Sequence, residues 1–348
     1  MKLSAFDYTL PPDLIAQRPT QPRDSARLLV LHRGAGHLEH RIFRDLPEYL
    51  DPKDVLVVND TRVIPARLHG VKATGGAVEV LLLRPVPAGT ETDRREPERW
   101  EILVRPGRRV RRGTALRFTP DLLGEVVDTR HDGVRVMAFT GPRQVLTVAR
   151  EVGATPLPPY VRVPLQDPED YQTVYAVEEG AIAAPTAGLH FTPGLLEKIQ
   201  GMGVGLVRLT MHIGLGTFRP VTTSEVAAHH MDAEWYRVSA DAAETIAARR
   251  RSGGRVIPVG TSAVRTLETV AGEGGAVGSG EGWSDLFIYP GHRFRAADAL
   301  VTNFHLPRTT LLMLVSALAG REAVLRAYAE AIRERYRFYS FGDAMLIL

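Results

Sequence analysis

Residues 63–154 limit what this 348-residue chain can fold into more than any other stretch. They carry short β-type runs at 77–83, 100–104, 114–118, 124–128 and 134–139, separated by Gly and Pro turns and with little helical periodicity. His131-Asp132-Gly133, between the last two runs, is a hairpin signal. On both sides of this stretch, apolar runs alternate with capped helical segments, the order of an α/β domain. The expected architecture is an α/β main domain with a mixed sheet, built from 1–62 and 155–348, interrupted by an inserted all-β, barrel-like domain at 63–154.

Within the α/β part, Pro11-Pro12-Asp13 opens an expected short helix to Gln17, stopped by Pro19 and Pro22. Runs at 28–31 and 38–43 flank a glycine turn and read as a hairpin. Val55-Leu56-Val57-Val58 is continuously apolar, as in a strand buried on both faces. Further on, Thr192-Pro193 caps a helix ended by Gly201 or Gly203, a strand follows to Leu209, and Ser239 caps a helix over 240–251. Strands are expected at 256–259, 286–288 and 299–302, and helices at 262–270, 309–319 and 321–336. The glycine-rich 272–282 segment reads as an unstructured loop, since no P-loop lysine follows it. The apolar C-terminus reads as a strand docked in the core.

Ligands of open α/β sheets sit at the carboxyl ends of strands, and here those ends carry polar residues. They are Asn59-Asp60-Thr61-Arg62, Ala184-Pro185-Thr186-Ala187-Gly188-Leu189-His190-Phe191, the stretch from His212 to Phe218, Gly260-Thr261-Ser262, and Thr302-Asn303-Phe304-His305. Three of them hold a histidine, His190, His212 and His305, and the first holds a carboxylate, Asp60. If they converge, the cleft has donors, a carboxylate and ring nitrogens, sufficient for acid–base chemistry without a metal. These three histidines show no H-x-x-x-H or H-E-x-x-H spacing, so no metal is expected. Cysteine is absent, which excludes disulfides, thiolate metal sites and a Cys nucleophile. The G-x-G-x-x-G, P-loop and G-x-S-x-G patterns are missing as well.

Arg108, Arg109, Arg111 and Arg112 place four guanidinium groups on one short turn, which reads equally as a solvated face or as a track for a phosphate backbone. The net charge of +3 permits a polyanionic partner without demanding one. The most apolar segment, 311–319, is too short to span a bilayer, and the expected setting is cytoplasmic, with no membrane partner.

The motifs as they stand in the chain closely resemble the S-adenosylmethionine:tRNA ribosyltransferase-isomerases of queuosine biosynthesis. The resemblance rests on Asn59-Asp60-Thr61-Arg62-Val63-Ile64-Pro65-Ala66-Arg67, on Ala184 through Thr192, on His212-x-Gly214-x-Gly216-Thr217-Phe218, on Thr302-Asn303-Phe304-His305-Leu306-Pro307, and on Phe341-Gly342-Asp343-Ala344-Met345. It covers essentially the whole chain. One departure is Ala263, at a position where the family often has a hydroxyl; this weakens a role for 263 but not for Thr261 or Arg265.

The resemblance implies transfer and isomerisation of the ribosyl part of S-adenosylmethionine onto 7-aminomethyl-7-deazaguanine at the wobble position of tRNA, giving epoxyqueuosine, adenine and methionine. S-adenosylmethionine is then a ribosyl-donor substrate, the partner is that tRNA, and a monomer is expected. Such a reaction needs a base for the carbon beside the sulfonium and an acid to help adenine depart. The implied catalytic candidates are His190, His212, His305, Asp60 and Asp343, with the roles of acid and base left open. The implied substrate-binding candidates are Asn59, Arg62, Thr186, Gly188, Gly214, Gly216, Thr217, Phe218, Thr261, Arg265 and Asn303. Two other readings compete: an S-adenosylmethionine-dependent tRNA methyltransferase and a non-catalytic RNA-binding protein.

Overall fold

The computed structural model describes residues 1–34, 36–86, 97–130, 133–214, 216 and 221–348. The chain divides into two compact units. One comprises Met1–Arg62, Pro158–Glu178 and Ala184–Leu348, the other Val63–Leu157 with Glu179–Ala183. In chain order the strands are β1 (Arg27–His32), β2 (His37–Ile42), β3 (Val55–Asn59), β4 (Thr61–Val63), β5 (Arg67–Lys72), β6 (Ala77–Val86), β7 (Glu98–Arg105), β8 (Ala115–Thr119), β9 (Leu122–Thr129) and β10 (Arg135–Thr140). They continue as β11 (Glu178–Ala181), β12 (Gly205–Met211), β13 (Glu234–Val238), β14 (Val256–Pro258), β15 (Gly280–Ser284), β16 (Leu300–Asn303) and β17 (Ala344–Ile347). The helices are α1 (Val145–Val152), α2 (Pro193–Gly201), α3 (Ala240–Arg251), α4 (Thr261–Val270), α5 (Thr310–Ala319) and α6 (Arg321–Arg333).

The smaller unit is a closed antiparallel barrel of order β10-β7-β6-β5-β8-β9. Closure removes the unpaired edges that an open six-stranded sheet would expose. Alternate residues point inward along each strand, so Val78, Val80 and Leu82 of β6, Ile102 of β7 and Val126 of β9 are buried. Each expected β-type run of 63–154 falls on a strand. Strand β5 and helix α1 go beyond the sequence pattern: β5 is short and polar, and α1, Val-Leu-Thr-Val-Ala-Arg-Glu-Val, is rich in β-branched residues that favour strands. His131 and Asp132 of the hairpin signal lie outside the described residues.

The larger unit holds two mixed sheets. In the five-stranded order β14-β3-β12-β13-β15, the first three strands are parallel and the outer pairings antiparallel. In the four-stranded order β16-β17-β1-β2, only β17 and β1 run parallel. A parallel bridge between Val259 and Val301 links the two. Both faces are covered, which explains the continuous apolar runs. Leu29 and Leu31 of β1 pack with Leu312, Leu318, Val324 and Tyr328 of α5 and α6, while Leu28 and Val30 meet Val58, Phe191, Leu195 and Ile199. On β3, Leu56 and Val58 join that second cluster, and Val55 and Val57 pack against Ile246 and Leu267.

The caps read from the sequence are in place, the Thr192 and Ser239 hydroxyls accepting the N–H groups of Leu195 and Ala242 at 3.2 and 3.1 Å; Thr309, read as the first residue of its helix, is a cap instead and accepts the Leu312 N–H at 3.3 Å. Three expectations are corrected. The 11–17 helix is a single 3-10 turn, Pro12–Leu14, because the chain then runs extended and Ile15 bridges Phe338. Residues 286–288 are not a strand. The strand lies just upstream, β15, which starts inside the segment read as an unstructured loop and runs two residues past it, because pairing with β13 outweighs the glycines' poor strand propensity. Among the described residues, no helix is long and apolar enough to cross a membrane.

Candidate active site

Strands β14, β3 and β12 are parallel neighbours, so Pro258, Asn59 and Met211 end on one edge of their sheet. The Val259–Val301 bridge brings the end of β16 to the same edge. There a cavity of about 470 Å3 is lined by 184–187, 260–262, Thr302, Asn303, His305, Tyr339 and Ser340. A second, of about 390 Å3, shares Ile213, Thr261, Ser262 and Leu311 with it and continues past Glu234 and Arg265. Gly260 makes the turn from β14 into α4 at φ 89°, a conformation that disfavours a side chain, and no side chain caps this helix.

Asn303 is the hub of the first cavity. Its Oδ1 accepts the Thr186 hydroxyl at 3.2 Å, and its Nδ2 donates to His190 Nε2 at 3.2 Å and to the Tyr339 carbonyl at 3.3 Å. An amide donor at His190 Nε2 places that neutral ring's proton on Nδ1. Burial lowers the His190 pKa to about 3, with Arg337 and Arg23 adding to the shift. His305 Nε2 lies 2.9 Å from the Thr302 hydroxyl, and burial lowers its pKa to about 3. Asn59 is buried behind the cavity: its Nδ2 donates to Ser262 Oγ and the Met211 carbonyl, both at 3.0 Å, and its Oδ1 accepts the Thr61 and Met211 amides. All its capacity goes into joining strand ends.

Asp60 and His212 form a second cluster on the β12–β13 face. Asp60 Oδ1 accepts the Thr210 hydroxyl at 2.8 Å, and burial, reinforced by Glu178, raises its pKa against that bond. His212 Nδ1 lies 2.8 Å from the Thr61 hydroxyl, its ring stacks on Trp235 with centroids 4.9 Å apart, and burial lowers its pKa to about 4. Burial thus keeps the three histidines neutral near pH 7.

The remaining candidates are dispersed. Asp343 accepts the Arg27 and Arg337 amides at 3.0 and 2.7 Å, tying β1 to the chain before β17, and burial raises its pKa against those bonds. Arg62 pairs with Glu169. Arg265 pairs with buried Glu234 and donates to the Leu286 and Ser284 carbonyls at 3.1 Å each. Gly188 packs so closely on Tyr175 that an added Cβ would lie 2.0 Å from its hydroxyl. The Gly214 amide donates to Glu234 at 2.7 Å, and a Cβ at Gly216 would meet the Asp232 side chain at 2.8 Å. Thr217 and Phe218 lie outside the described residues. Arg108, Arg109, Arg111 and Arg112 are exposed on the barrel unit around buried Val110, where Arg135 donates to the Gly107 and Val110 carbonyls at 2.8 Å. Among the described residues, no three His, Asp or Glu side chains gather where they could hold a metal ion.

Sequence reasoning missed Glu234, Trp235 and Tyr339. Glu234 left a readable signal: it shares the inward face of β13 with Val238, and a carboxylate there requires a buried partner.

A histidine-bearing cleft at the carboxyl ends of parallel strands, in a chain that also builds a closed barrel, is the framework of an enzyme. The chain belongs to the queuosine biosynthesis protein family, whose model matches residues 3–347, as the motif resemblance implied. It is 56% identical over 350 residues to the S-adenosylmethionine:tRNA ribosyltransferase-isomerase of Symbiobacterium thermophilum, and 56% over 353 residues to that of Moorella thermoacetica, with 100% of each chain covered in both cases. The crystal structure of an S-adenosylmethionine tRNA ribosyltransferase from Thermotoga maritima is 41% identical, with a TM-score of 0.56 over 99% of this chain and 100% of that one.

Proposed function

We infer that this protein transfers and isomerises the ribosyl moiety of S-adenosylmethionine onto 7-aminomethyl-7-deazaguanine at the wobble position of tRNA, giving epoxyqueuosine-tRNA, adenine and methionine. The observation that carries this reading is identity of 56% across the full length of enzymes that bear the ribosyltransferase-isomerase name. The strand-end cavities, lined by hydroxyl, amide and imidazole groups, supply polar contacts for the donor.

In this reading Thr186, Thr261, Asn303 and His305 contact S-adenosylmethionine in the first cavity, with His190 orienting Asn303. His212 is the base: its Nδ1 is held by Thr61, and among the described residues its Nε2 makes no hydrogen bond. The sulfonium's positive charge acidifies the adjacent C–H, so a neutral imidazole suffices to remove that proton. Asp60, held by the Thr210 hydroxyl, stabilises the sulfonium or accepts the proton of the attacking amine. Asn59, Arg265 and Asp343 act as positioning residues, because their polar atoms are committed within the protein. The barrel is an inserted domain whose Arg108 to Arg112 turn meets tRNA phosphates, and the protein works as a monomer in the cytoplasm.

The test uses cofactor labelled in parallel on the ribose and on the methyl group, with tRNA carrying the aminomethyl base. Adenine release with ribose label retained in tRNA supports the reading. Methyl label in tRNA makes the protein a methyltransferase, and tRNA binding without adenine release makes it a non-catalytic RNA binder.

A further inference from the structure

Three ring side chains stand in register across the outer strands of the five-stranded sheet. The His212 amide, just past β12, donates to the Trp235 carbonyl of β13 at 2.9 Å, and the two rings stack at 24°. Trp235 is the direct cross-strand partner of Trp283 on β15, the edge strand of the sheet. Directly paired residues present their side chains to the same face, so the row runs from His212 outward to Trp283. Trp283 is 54% exposed, the most exposed tryptophan side chain of the chain. Arg237 shares this face two residues from Trp235, with its guanidinium carbon 5.9 Å from that ring. Glu178 pairs with Arg237 at 2.7 Å, and Glu281 is its register partner on β15, so the face offers π surfaces with little net charge.

The inner end of the row adjoins the strand-end cavities, because Ile213, next to His212, lines both. We propose that Trp283 and Trp235 form a stacking platform for the unpaired anticodon-loop bases that flank the modified nucleotide. This proposal rests on the tRNA-modifying reading and deepens it. A nucleotide drawn into a cavity leaves its stack, and its former neighbours lose a stacking partner. Those neighbours must lie within a nucleotide or two of the cavity mouth. Aromatic side chains there replace the lost stacking, and they do so for any base, since every base has a π face. At 54% exposure on the edge strand, the Trp283 indole leaves surface open to such a base.

The experiment measures adenine release against tRNA concentration for the full chain and for Trp283→Ala and Trp283→Phe, at saturating S-adenosylmethionine. Trp283→Ala is expected to raise the KM for tRNA roughly tenfold, with kcat and the KM for S-adenosylmethionine unchanged. Trp283→Phe should retain most of the affinity, and neither variant should alter the salt slope, since no charge is removed. With 2-aminopurine beside the target base, fluorescence should be quenched on binding the parent protein and not on binding Trp283→Ala. An unchanged KM with quenching retained in Trp283→Ala overturns the platform. So does a concentration-dependent dimer that Trp283→Ala abolishes while tRNA affinity stays the same, which would assign the indole to a second copy of the chain. If the parent protein releases no adenine with any tRNA, the tRNA-modifying reading itself fails; an active parent with an indistinguishable Trp283→Ala removes only the platform.

Discussion

Arg265 and Glu234 form an ion pair whose side chains are 6% and 3% exposed, and the same carboxylate accepts the Gly214 amide at 2.7 Å. One buried charge pair thus joins helix α4, strand β13 and the glycine-bearing segment after β12. Removing a single partner strands the other charge, so Glu234→Ala and Arg265→Met should each lose about 3–5 kcal/mol of stability. Glu234→Gln keeps an acceptor for Gly214 and should lose less. Urea unfolding checks the order; equal losses for Gln and Ala would mean that the charge pairing alone matters.

The Asn303 hub predicts a loss of both order and binding. Asn303→Leu leaves His190 Nε2 and the Thr186 hydroxyl without their partner, at about 1–3 kcal/mol for each unsatisfied buried group. The KM for S-adenosylmethionine should rise by more than in Thr186→Ala, which removes only one of these bonds. Steady-state kinetics on the two variants, with thermal unfolding alongside, decides it.

His190, His212 and His305 set the acid side of the stability curve. Their folded pKa values, about 3, 4 and 3, lie below the unfolded value near 6.5. Between those limits the unfolded chain binds more protons, so stability is fully present above pH 6.5 and is lost as pH falls toward the folded values. Each histidine contributes a slope of about 1.4 kcal/mol per pH unit in that window. Asp60 and Asp343, with raised values, contribute the opposite sign just above the ordinary carboxylate range. Denaturant titrations from pH 7 to pH 4.5 on the parent and on His305→Asn measure the histidine share; identical slopes would contradict it.

The arginine turn is tested by salt. Replacing Arg108, Arg109, Arg111 and Arg112 with Gln should weaken tRNA binding and reduce the slope of log K against log salt by about 0.7–0.9 for each phosphate that is no longer neutralised. S-adenosylmethionine affinity should not move. An unchanged slope would make the turn a solvated face.

The sequence was most legible where one local rule governs. The caps at Thr192 and Ser239, and the apolar runs at 28–31 and 55–58, needed only hydrogen-bonding capacity and burial on two faces. The polar strand ends, several of which line one cavity, were legible because polar residues at the end of a buried apolar run are costly to place without partners. What each residue does there was not legible. The partners of Asn59 and Arg265, 203 residues away at Ser262 and 31 away at Glu234, are not marked by any local pattern. Strand β15 was hidden because its glycines speak for a loop and only the long-range pairing with β13 makes it a strand. Helix α1 was hidden for the converse reason, β-branched residues held helical by burial of Val145, Val148 and Ala149.

Transfer of the ribose, and not of the methyl group, from S-adenosylmethionine to tRNA is tested most directly with labelled cofactor. Incubation with ribose-labelled cofactor and tRNA bearing the aminomethyl base should release one adenine for each ribosyl group retained in tRNA, with no label retained from the methyl group. Methyl label in the tRNA, or tRNA binding with no adenine released, would contradict it.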